Sequence, residues 1–168
     1  MKSNPFNDFI IKLKKLSLKV YKELGDGFDE DIYQRALAYE FRKAKIQYMR
    51  ETNIETFYKD QMLSLRELDF LVPAQKHKDF ILKRSIIIET KYSTKIIDGN
   101  RAQLRQYLKS IAKNSSAELK EVDYGILLNW QKVNAYEDQR IISDDPVQIE
   151  VWKFSKKEDM KLVLSTKS

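Results

Sequence analysis

The sequence predicts an α/β fold in which helices lie against a mixed β-sheet. Apolar residues recur at helical spacing over the first 24 residues, which is typical of an amphipathic helix. Residues 86–88 are consecutive isoleucines, a run typical of a strand buried on both faces. The chain is 42% hydrophobic but has only 4 glycines and 3 prolines, which argues against disorder and against a turn-rich all-β fold. Helical and strand patterns follow one another in the order α, α, β, β, β, α, β, β.

Each predicted helix is bounded by a local signal. The first runs from about Phe6 to Leu24 and ends at Gly25-Asp26-Gly27, because glycine suits the left-handed conformation of a C-terminal cap. The second is expected over residues 29–44. The third begins at the turn-forming residues 98–100 and continues to about Lys113, after which Asn-Ser-Ser interrupts the pattern.

The predicted strands are apolar or alternating segments bounded by turns. They are placed at residues 46–57, 62–72, 80–92, 122–130 and 147–154. The first two are expected to form a hairpin around the turn at residues 58–61. The polar, basic segment 74–79 is expected to be a loop or the tip of a hairpin, with His77 exposed and without a catalytic role.

Length and composition limit the class of protein. A chain of 168 residues is expected to form one domain, with a core over about residues 6–130 and a C-terminal extension over 131–168. The absence of cysteine excludes disulfides and thiolate zinc sites and fits a reducing, cytoplasmic location. Apolar stretches are too short for a membrane span, and lysines interrupt the N-terminal segment, so neither a membrane partner nor a secretory signal is expected. The net charge of +6 permits nucleic-acid binding without establishing it.

Charged residues within apolar strands are the first candidates for a chemical role. Asp69 lies in the apolar run 68–72, and Glu89 and Lys91 follow the isoleucine run. Because side chains alternate along a strand, Glu89 and Lys91 share a face, and Asp69 joins them if the two strands are neighbours. These residues would then form the centre of a metal-dependent phosphodiesterase. Asp69, Glu89 and the Thr90 carbonyl would offer oxygen ligands to Mg²⁺, and Lys91 would orient or help to deprotonate the water that attacks the phosphate. The alternative is a solvent-exposed Glu-Lys pair on an edge strand, since Glu-x-Lys by itself is frequent in a chain that is 33% charged.

Two of the predicted helices carry polar residues on one face. Glu30 and Tyr33 are three residues apart, and Gln103 and Tyr107 are four apart, so each pair shares a helix face. The second pair offers an amide and a phenol to a site. For the first pair the alternative is structural, with Glu30 at the positive end of its helix and Tyr33 in the core.

Another face of the third predicted helix is basic. Arg101, Arg105 and Lys109 follow one another at intervals of four residues and offer cations to phosphate groups. The alternative is an ordinary amphipathic helix with a solvated basic flank. Aromatic residues that could stack on bases, or equally pack in the core, are Trp130, Tyr136 and Trp152.

Taken together, these motifs resemble the GxxExxY proteins of the PD-(D/E)XK nuclease superfamily. The resemblance extends over about residues 10–129 and rests on Gly27, Glu30 and Tyr33, then Asp69, then Glu89-Thr90-Lys91, then Gln103 and Tyr107. The Gln-x-x-x-Tyr element is similar to that of the RecB-type exonuclease branch. Leu68 stands in place of the proline of the superfamily name, and Tyr92 is bulkier than the small or aliphatic residue often found there.

The resemblance implies a restriction-endonuclease-like α/β core with its site where the central strands diverge. It implies that Asp69 and Glu89 are metal ligands, that Glu30 is a helix-borne acidic residue near the metal, and that Lys91 is the catalytic lysine. It further implies that Gln103 and Tyr107 support the site or the nucleic-acid backbone. Residues expected to contact nucleic acid are Tyr33, Arg101, Arg105 and Lys109.

The predicted function is a Mg²⁺- or Mn²⁺-dependent nuclease that hydrolyses phosphodiester bonds through a metal-activated water. DNA is favoured over RNA as the partner, because the related branches mostly process DNA. One alternative is a non-catalytic nucleic-acid-binding or accessory protein with the same fold. Another is an interaction module that dimerises through an exposed sheet edge. A homodimer and a helicase or other nucleic-acid-processing partner are left open.

Overall fold

A mixed sheet forms the centre of the structure, a computed structural model that describes residues 5–133 and 145–166. The strands of the described part are β1 (Met49–Tyr58), β2 (Gln61–Val72), β3 (Gln75–Lys76), β4 (Ile81–Leu82), β5 (Ile86–Ser93), β6 (Tyr124–Gln131), β7 (Val147–Ser155) and β8 (Asp159–Ser165). Six of them form the main sheet in the order β1-β2-β5-β6-β7-β8, and β3 and β4 form a separate small hairpin. Within the main sheet only β5 and β6 run parallel.

Helices cover both faces of this sheet. They are α1 (Pro5–Leu24), α2 (Glu30–Lys43), α3 (Asp98–Ser110), a 3₁₀ turn (Ile111–Lys113) and the single turn α4 (Ala117–Lys120). The α/β fold class with helices flanking a mixed sheet is therefore confirmed. In the described part, no helix combines the length and the apolar character that a membrane crossing requires.

The isoleucine run of β5 is buried on both faces, as its composition predicts. Ile86 and Ile88 pack in the core beneath α1 and α2. Ile87 packs in a second core beneath α3, together with Leu104. Gly125 on β6 lets α3 approach the sheet closely, because a Cβ at this position would lie 2.6 Å from Leu104 Cδ1. Alternating burial along one strand thus connects the two helical layers.

The structure differs from the predicted elements at several places. The third helix ends at Ser110 and is followed by a 3₁₀ turn, and the helical turn α4 was not predicted. The central strand begins at Ile86, because residues 81–82 pair with β3 instead. The strand β8 was not predicted, since it lies at the edge of the sheet and is largely exposed, so it has little hydrophobic pattern. Both β7 and β8 extend the main sheet, so the described part of the C-terminal extension joins the same sheet; residues 134–144 and Tyr136 lie outside the described residues.

The prediction that His77 is exposed was wrong. Only 5% of its side chain is exposed. Its ring stacks on Phe80 with the centroids 4.6 Å apart, and its Nε2 lies 2.7 Å from the Ala44 carbonyl oxygen. This residue therefore attaches the β3–β4 hairpin to the end of α2.

Candidate active site

Two carboxylates come together where β2 and β5 stop pairing. The strands are antiparallel neighbours, and Phe70 opposite Ile88 is the last regular pair, so Asp69 and Glu89 occupy the next opposed positions. The Asp69 N–H donates to Glu89 Oε1 over 3.1 Å. The Thr90 N–H and hydroxyl donate to Asp69 Oδ2 over 2.8 and 3.1 Å. Each carboxylate is thus held in place by hydrogen bonds from the opposite strand.

Thr90 therefore does more than the sequence indicated. Its expected contribution was a backbone carbonyl, yet its N–H and hydroxyl together fix one oxygen of Asp69. Because the N–H and C=O of one strand residue point toward the same neighbouring strand, the Thr90 carbonyl is also directed toward β2.

Burial changes the acidity of Glu89. Only 4% of this residue is exposed. Burial, and secondly the charge of Asp69, raise the pKa of Glu89 to about 8, while the Asp69 N–H and the charge of Lys91 oppose the increase. An ionised Glu89 is therefore costly in this place unless a cation accompanies it.

This raised pKa predicts a pH-dependent loss of stability in the metal-free protein. Between the ordinary value of 4.5 and about 8, the folded state holds a proton on Glu89 that the unfolded state releases. The free energy of unfolding therefore decreases as pH rises through this interval. Glu89→Gln removes the effect, so its stability relative to the wild type should increase by on the order of 2–3 kcal/mol from pH 5 to pH 8.

Denaturant unfolding of both proteins in EDTA at the two pH values measures this difference. Glu67→Gln is the control, because Glu67 is an exposed residue of β2. The raised pKa of Glu30 acts in the same direction in both proteins and largely cancels in the comparison. If the stability difference between the wild type and Glu89→Gln is the same at pH 5 and pH 8, the pKa of Glu89 is not raised by burial in the metal-free protein.

Lys91 and Glu30 lie within electrostatic range of the carboxylates. Burial raises the pKa of both Glu89 and Glu30, and the positive charge of Lys91 opposes both increases. Burial, as the largest cause, raises the pKa of Glu30, and the charge of Asp69 adds to the increase. In residues 5–133 and 145–166, no carboxylate lies within ion-pair distance of the Lys91 ammonium. The ammonium group is therefore available to a ligand.

The Glu30 carboxylate is bonded by Gln34, which is itself bonded by Arg50, and neither residue was predicted to belong to the site. Gln34, one helical turn along α2, donates to Glu30 Oε1 over 3.3 Å. Arg50 on β1 donates in turn to Gln34 Oε1 over 3.2 Å. The spacing of Glu30 and Gln34 was visible in the sequence. The contribution of Arg50 was not, because it depends on how β1 lies against α2.

The turn before α2 explains the spacing of Gly27, Glu30 and Tyr33. Gly25 and Gly27 have φ angles of 70° and 107°, values that favour glycine. The Tyr33 hydroxyl donates to the Gly25 carbonyl over 2.6 Å, and the Gly27 N–H donates to the Tyr92 hydroxyl over 2.7 Å. The rings of Tyr33 and Tyr92 stack at 4.6 Å. Tyrosines thus support the turn from which Glu30 begins the helix, and the bulk of Tyr92 has a use here.

This geometry corrects the expectation that Tyr33 contacts nucleic acid. Its residue exposure is 0%, so its ring is not accessible to a ligand. Tyr33 lies in the core, as the structural alternative for this residue states.

Gln103 and Tyr107 lie on the α3 face that approaches the carboxylates. The Gln103 amide donates to the Tyr107 hydroxyl over 3.0 Å. Burial raises the pKa of Tyr107, and the charges of Glu89 and Asp69 raise it further. Both carboxylates therefore lie within electrostatic range of this hydroxyl.

The basic residues of α3 face away from the carboxylates. Arg101 donates to both oxygens of Glu150 on β7 over 2.8 and 2.7 Å. Arg105 donates to both oxygens of Asp159 on β8 over 2.7 and 2.6 Å, and the charge of Lys109 also acts on Asp159. The two arginines are thus engaged in ion pairs with the far strands, and their predicted contact with nucleic acid stays a prediction.

The oxygen donors of this site fit a hard divalent cation. Asp69 Oδ1 and Glu89 Oε2 accept no hydrogen bond from the described residues, so each has an oxygen available to a ligand. No cluster of three or more His, Cys, Asp or Glu side chains suited to a metal ion occurs in the part of the chain that the structure describes. A pair of carboxylates with a carbonyl suits Mg²⁺, which is usually bound through one or two carboxylates and keeps several waters.

The fold and the charged residues together define a nuclease-like α/β domain. Residues 7–141 match the family model described as PD-(D/E)XK nuclease superfamily. The chain belongs to this superfamily, whose members are generally nucleases that act on nucleic acid and typically use divalent metals. Comparisons with curated proteins and with solved structures find no match.

Proposed function

We propose that this chain is a Mg²⁺- or Mn²⁺-dependent nuclease of the GxxExxY group that hydrolyses phosphodiester bonds, with DNA as its substrate. The single observation that carries the proposal is the opposed placement of Asp69 and Glu89, at the point where β2 and β5 separate. The superfamily match supports the reaction class. The choice of DNA over RNA rests on the resemblance to branches that mostly process DNA.

In this proposal Asp69, Glu89 and the Thr90 carbonyl hold the cation, with Glu30 nearby. A bound divalent ion would polarise a water molecule and offset the negative charge that develops on the phosphate oxygens. The cation would also compensate the burial of Glu89, which the residues of the chain do only in part. Thr90 keeps the bonded Asp69 oxygen in place while the other oxygen is available to the ion.

In this proposal Lys91 is the catalytic lysine, because its ammonium group is available to the attacking water. It orients the attacking water, helps to remove its proton, and places a positive charge close to the scissile phosphate. Gln103 and Tyr107 position the phosphate backbone through a mutual hydrogen bond that leaves polar atoms of both residues available.

A cleavage assay combined with calorimetry tests this function. Single- and double-stranded DNA and RNA oligonucleotides are incubated with Mg²⁺ or Mn²⁺, and EDTA should stop the cleavage. Asp69→Ala should weaken Mn²⁺ binding at least about tenfold, since it removes a ligand and leaves Glu89 without its partner. Asp60→Ala is the control, because Asp60 lies at the exposed β1–β2 turn.

Equal Mn²⁺ affinity of the wild type and Asp69→Ala would contradict the ligand assignment. Salt-sensitive binding of nucleic acid without any cleavage would instead support the accessory protein of the same fold. Absence of both binding and cleavage would support the interaction module.

A further inference from the structure

The hairpin of β1 and β2 carries a cation beside the candidate active site. Arg66 is an exposed residue of β2, three positions before Asp69. Its guanidinium makes no ion pair or hydrogen bond with any residue of the described ranges. This contrasts with Arg101 and Arg105, whose guanidinium groups are both engaged by carboxylates.

Strand register places Arg66 on the α3 side of the hairpin. Arg66 is paired with Ile54 across the two strands, and Leu68 follows it by two positions, so the three side chains share a face. Ile54 and Leu68 are fully buried in the core cluster that also contains Tyr107. Arg66 therefore continues this apolar face beyond the edge of the core, toward the same side of the sheet as Tyr107.

Electrostatics agrees with this placement. Burial, as the largest cause, raises the pKa of Tyr107, the charges of Glu89 and Asp69 add to the increase, and the charge of Arg66 opposes it. One hydroxyl is thus within electrostatic range of the cation and of both carboxylates. Arg66 and both carboxylates therefore lie near Tyr107.

The position of Arg66 is also stabilised by the segment after α3. The Asn114 side chain accepts from the Glu55 N–H over 2.7 Å and donates to the Glu55 carbonyl over 3.0 Å. Glu55 adjoins Ile54, the cross-strand partner of Arg66. Asn114 thus holds the hairpin against the helical layer, and the backbone that carries Arg66 is fixed relative to Tyr107.

We propose that Arg66 is a phosphate-binding residue that holds the nucleic-acid strand next to the scissile phosphate. The inference rests on the proposed function and adds a residue to it. A guanidinium presents paired N–H donors that match two phosphate oxygens, and one without a carboxylate partner makes this contact without first breaking an ion pair. The bound nucleic-acid strand then extends from the carboxylates past Tyr107 and along the β1–β2 hairpin.

Equilibrium binding in EDTA tests the assignment without requiring cleavage. A fluorescent single-stranded DNA oligonucleotide is titrated with wild type, Arg66→Ala, Arg66→Lys and Arg84→Ala at several salt concentrations. Arg66→Ala should weaken binding by about threefold to tenfold and reduce the slope of log K against log salt by about one. Arg66→Lys should keep the slope and recover part of the affinity, because a lysine retains the charge but not the paired donors.

Arg84→Ala is the control for the loss of one positive charge, since the Arg84 side chain is 63% exposed, lies before the opposite end of β5 and pairs with Asp123 over 3.5 Å. It should leave both the affinity and the slope within twofold of the wild type. Under Mg²⁺, Arg66→Ala should raise KM and change kcat less than about threefold, as expected for a residue that binds and does not react. A thermal melt verifies that each variant is folded.

The outcomes separate this inference from the proposed function. Binding by the wild type together with an unchanged slope for Arg66→Ala, or with equal losses for Arg66→Ala and Arg84→Ala, overturns the role of Arg66 alone. Failure of the wild type to bind this oligonucleotide, and also the double-stranded DNA and the RNA of the cleavage assay, overturns the proposed function, and the role of Arg66 with it.

Discussion

Replacing Glu89 with glutamine is expected to reduce the rate of metal-dependent cleavage at least about a thousandfold. Glutamine keeps the volume of the side chain and an oxygen that can accept the Asp69 N–H bond, so the fold should be retained. It removes the negative charge from a carboxylate that is 4% exposed and faces Asp69. The loss should therefore appear in metal binding and in kcat.

Lys91→Ala is the companion variant, and it distinguishes ligation from proton handling. It is expected to lower kcat by about 10²–10⁴-fold while leaving Mn²⁺ affinity within a few-fold, because an ammonium group is not a metal ligand. Single-turnover cleavage and calorimetry on the same samples measure both quantities. Glu67→Gln and Lys95→Ala are matched controls at exposed positions and should retain activity. Substantial cleavage by Glu89→Gln would contradict the proposed site.

Removing the indole of Trp130 is expected to destabilise the protein by about 3–5 kcal/mol. Trp130 lies on β6 with 0% exposure, and its Nε1 donates to the Ser17 carbonyl of α1 over 3.1 Å. Its ring also lies 5.5 Å from the ring of Tyr33, centroid to centroid. Trp130→Ala therefore opens a cavity at the point where the sheet, α1 and α2 meet.

Urea unfolding of a short series measures the contributions separately. Trp130→Phe keeps a ring but loses the bond to Ser17 and should cost about 1–2 kcal/mol. Trp152→Ala provides the matched control, since Trp152 on β7 is only partly buried and should cost less than Trp130→Ala. A loss below about 1.5 kcal/mol for Trp130→Ala would show that Trp130 does not connect these elements as its packing indicates.

The consequence for function passes through Tyr33. Its ring packs between Trp130 and Tyr92, and its hydroxyl holds the Gly25 carbonyl in the turn before α2. Glu30 begins the helix that follows this turn. The cavity left by Trp130→Ala should therefore displace Glu30 and lower the cleavage activity of variants that still fold.

Sequence patterns were sufficient where the physical cause is local. The first helix was predicted at Phe6 to Leu24 and lies at Pro5–Leu24, because apolar spacing and a glycine stop define a helix without reference to the remainder of the chain. Burial of β5 on both faces followed equally from its isoleucines. The opposition of Asp69 and Glu89 needed one further assumption, that their strands are neighbours, and the sheet order supplies it.

Sequence patterns did not identify partners that are distant in the chain. The spacing of Arg101 and Arg105 indicated cations for phosphate, but which carboxylate each arginine meets depends on strands β7 and β8, about 50 residues away. His77 was expected in solvent because its neighbours are charged, yet it packs on Phe80 and bonds to the end of α2. Electrostatic and packing partners of this kind are not encoded in local spacing.

By itself, then, the sequence determined which residues of this protein carry charge inside apolar strands and where its first two helices lie. Both properties follow from side-chain chemistry and from backbone preferences that act over a few residues. Only the tertiary structure decided which charges meet: it opposes Asp69 and Glu89, raises the pKa of Glu89 by burial, engages Arg101 with Glu150, and leaves Arg66 without a carboxylate partner among the described residues. The reason is that Coulomb interaction and desolvation depend on distance in space, which the chain acquires only when the sheet is assembled.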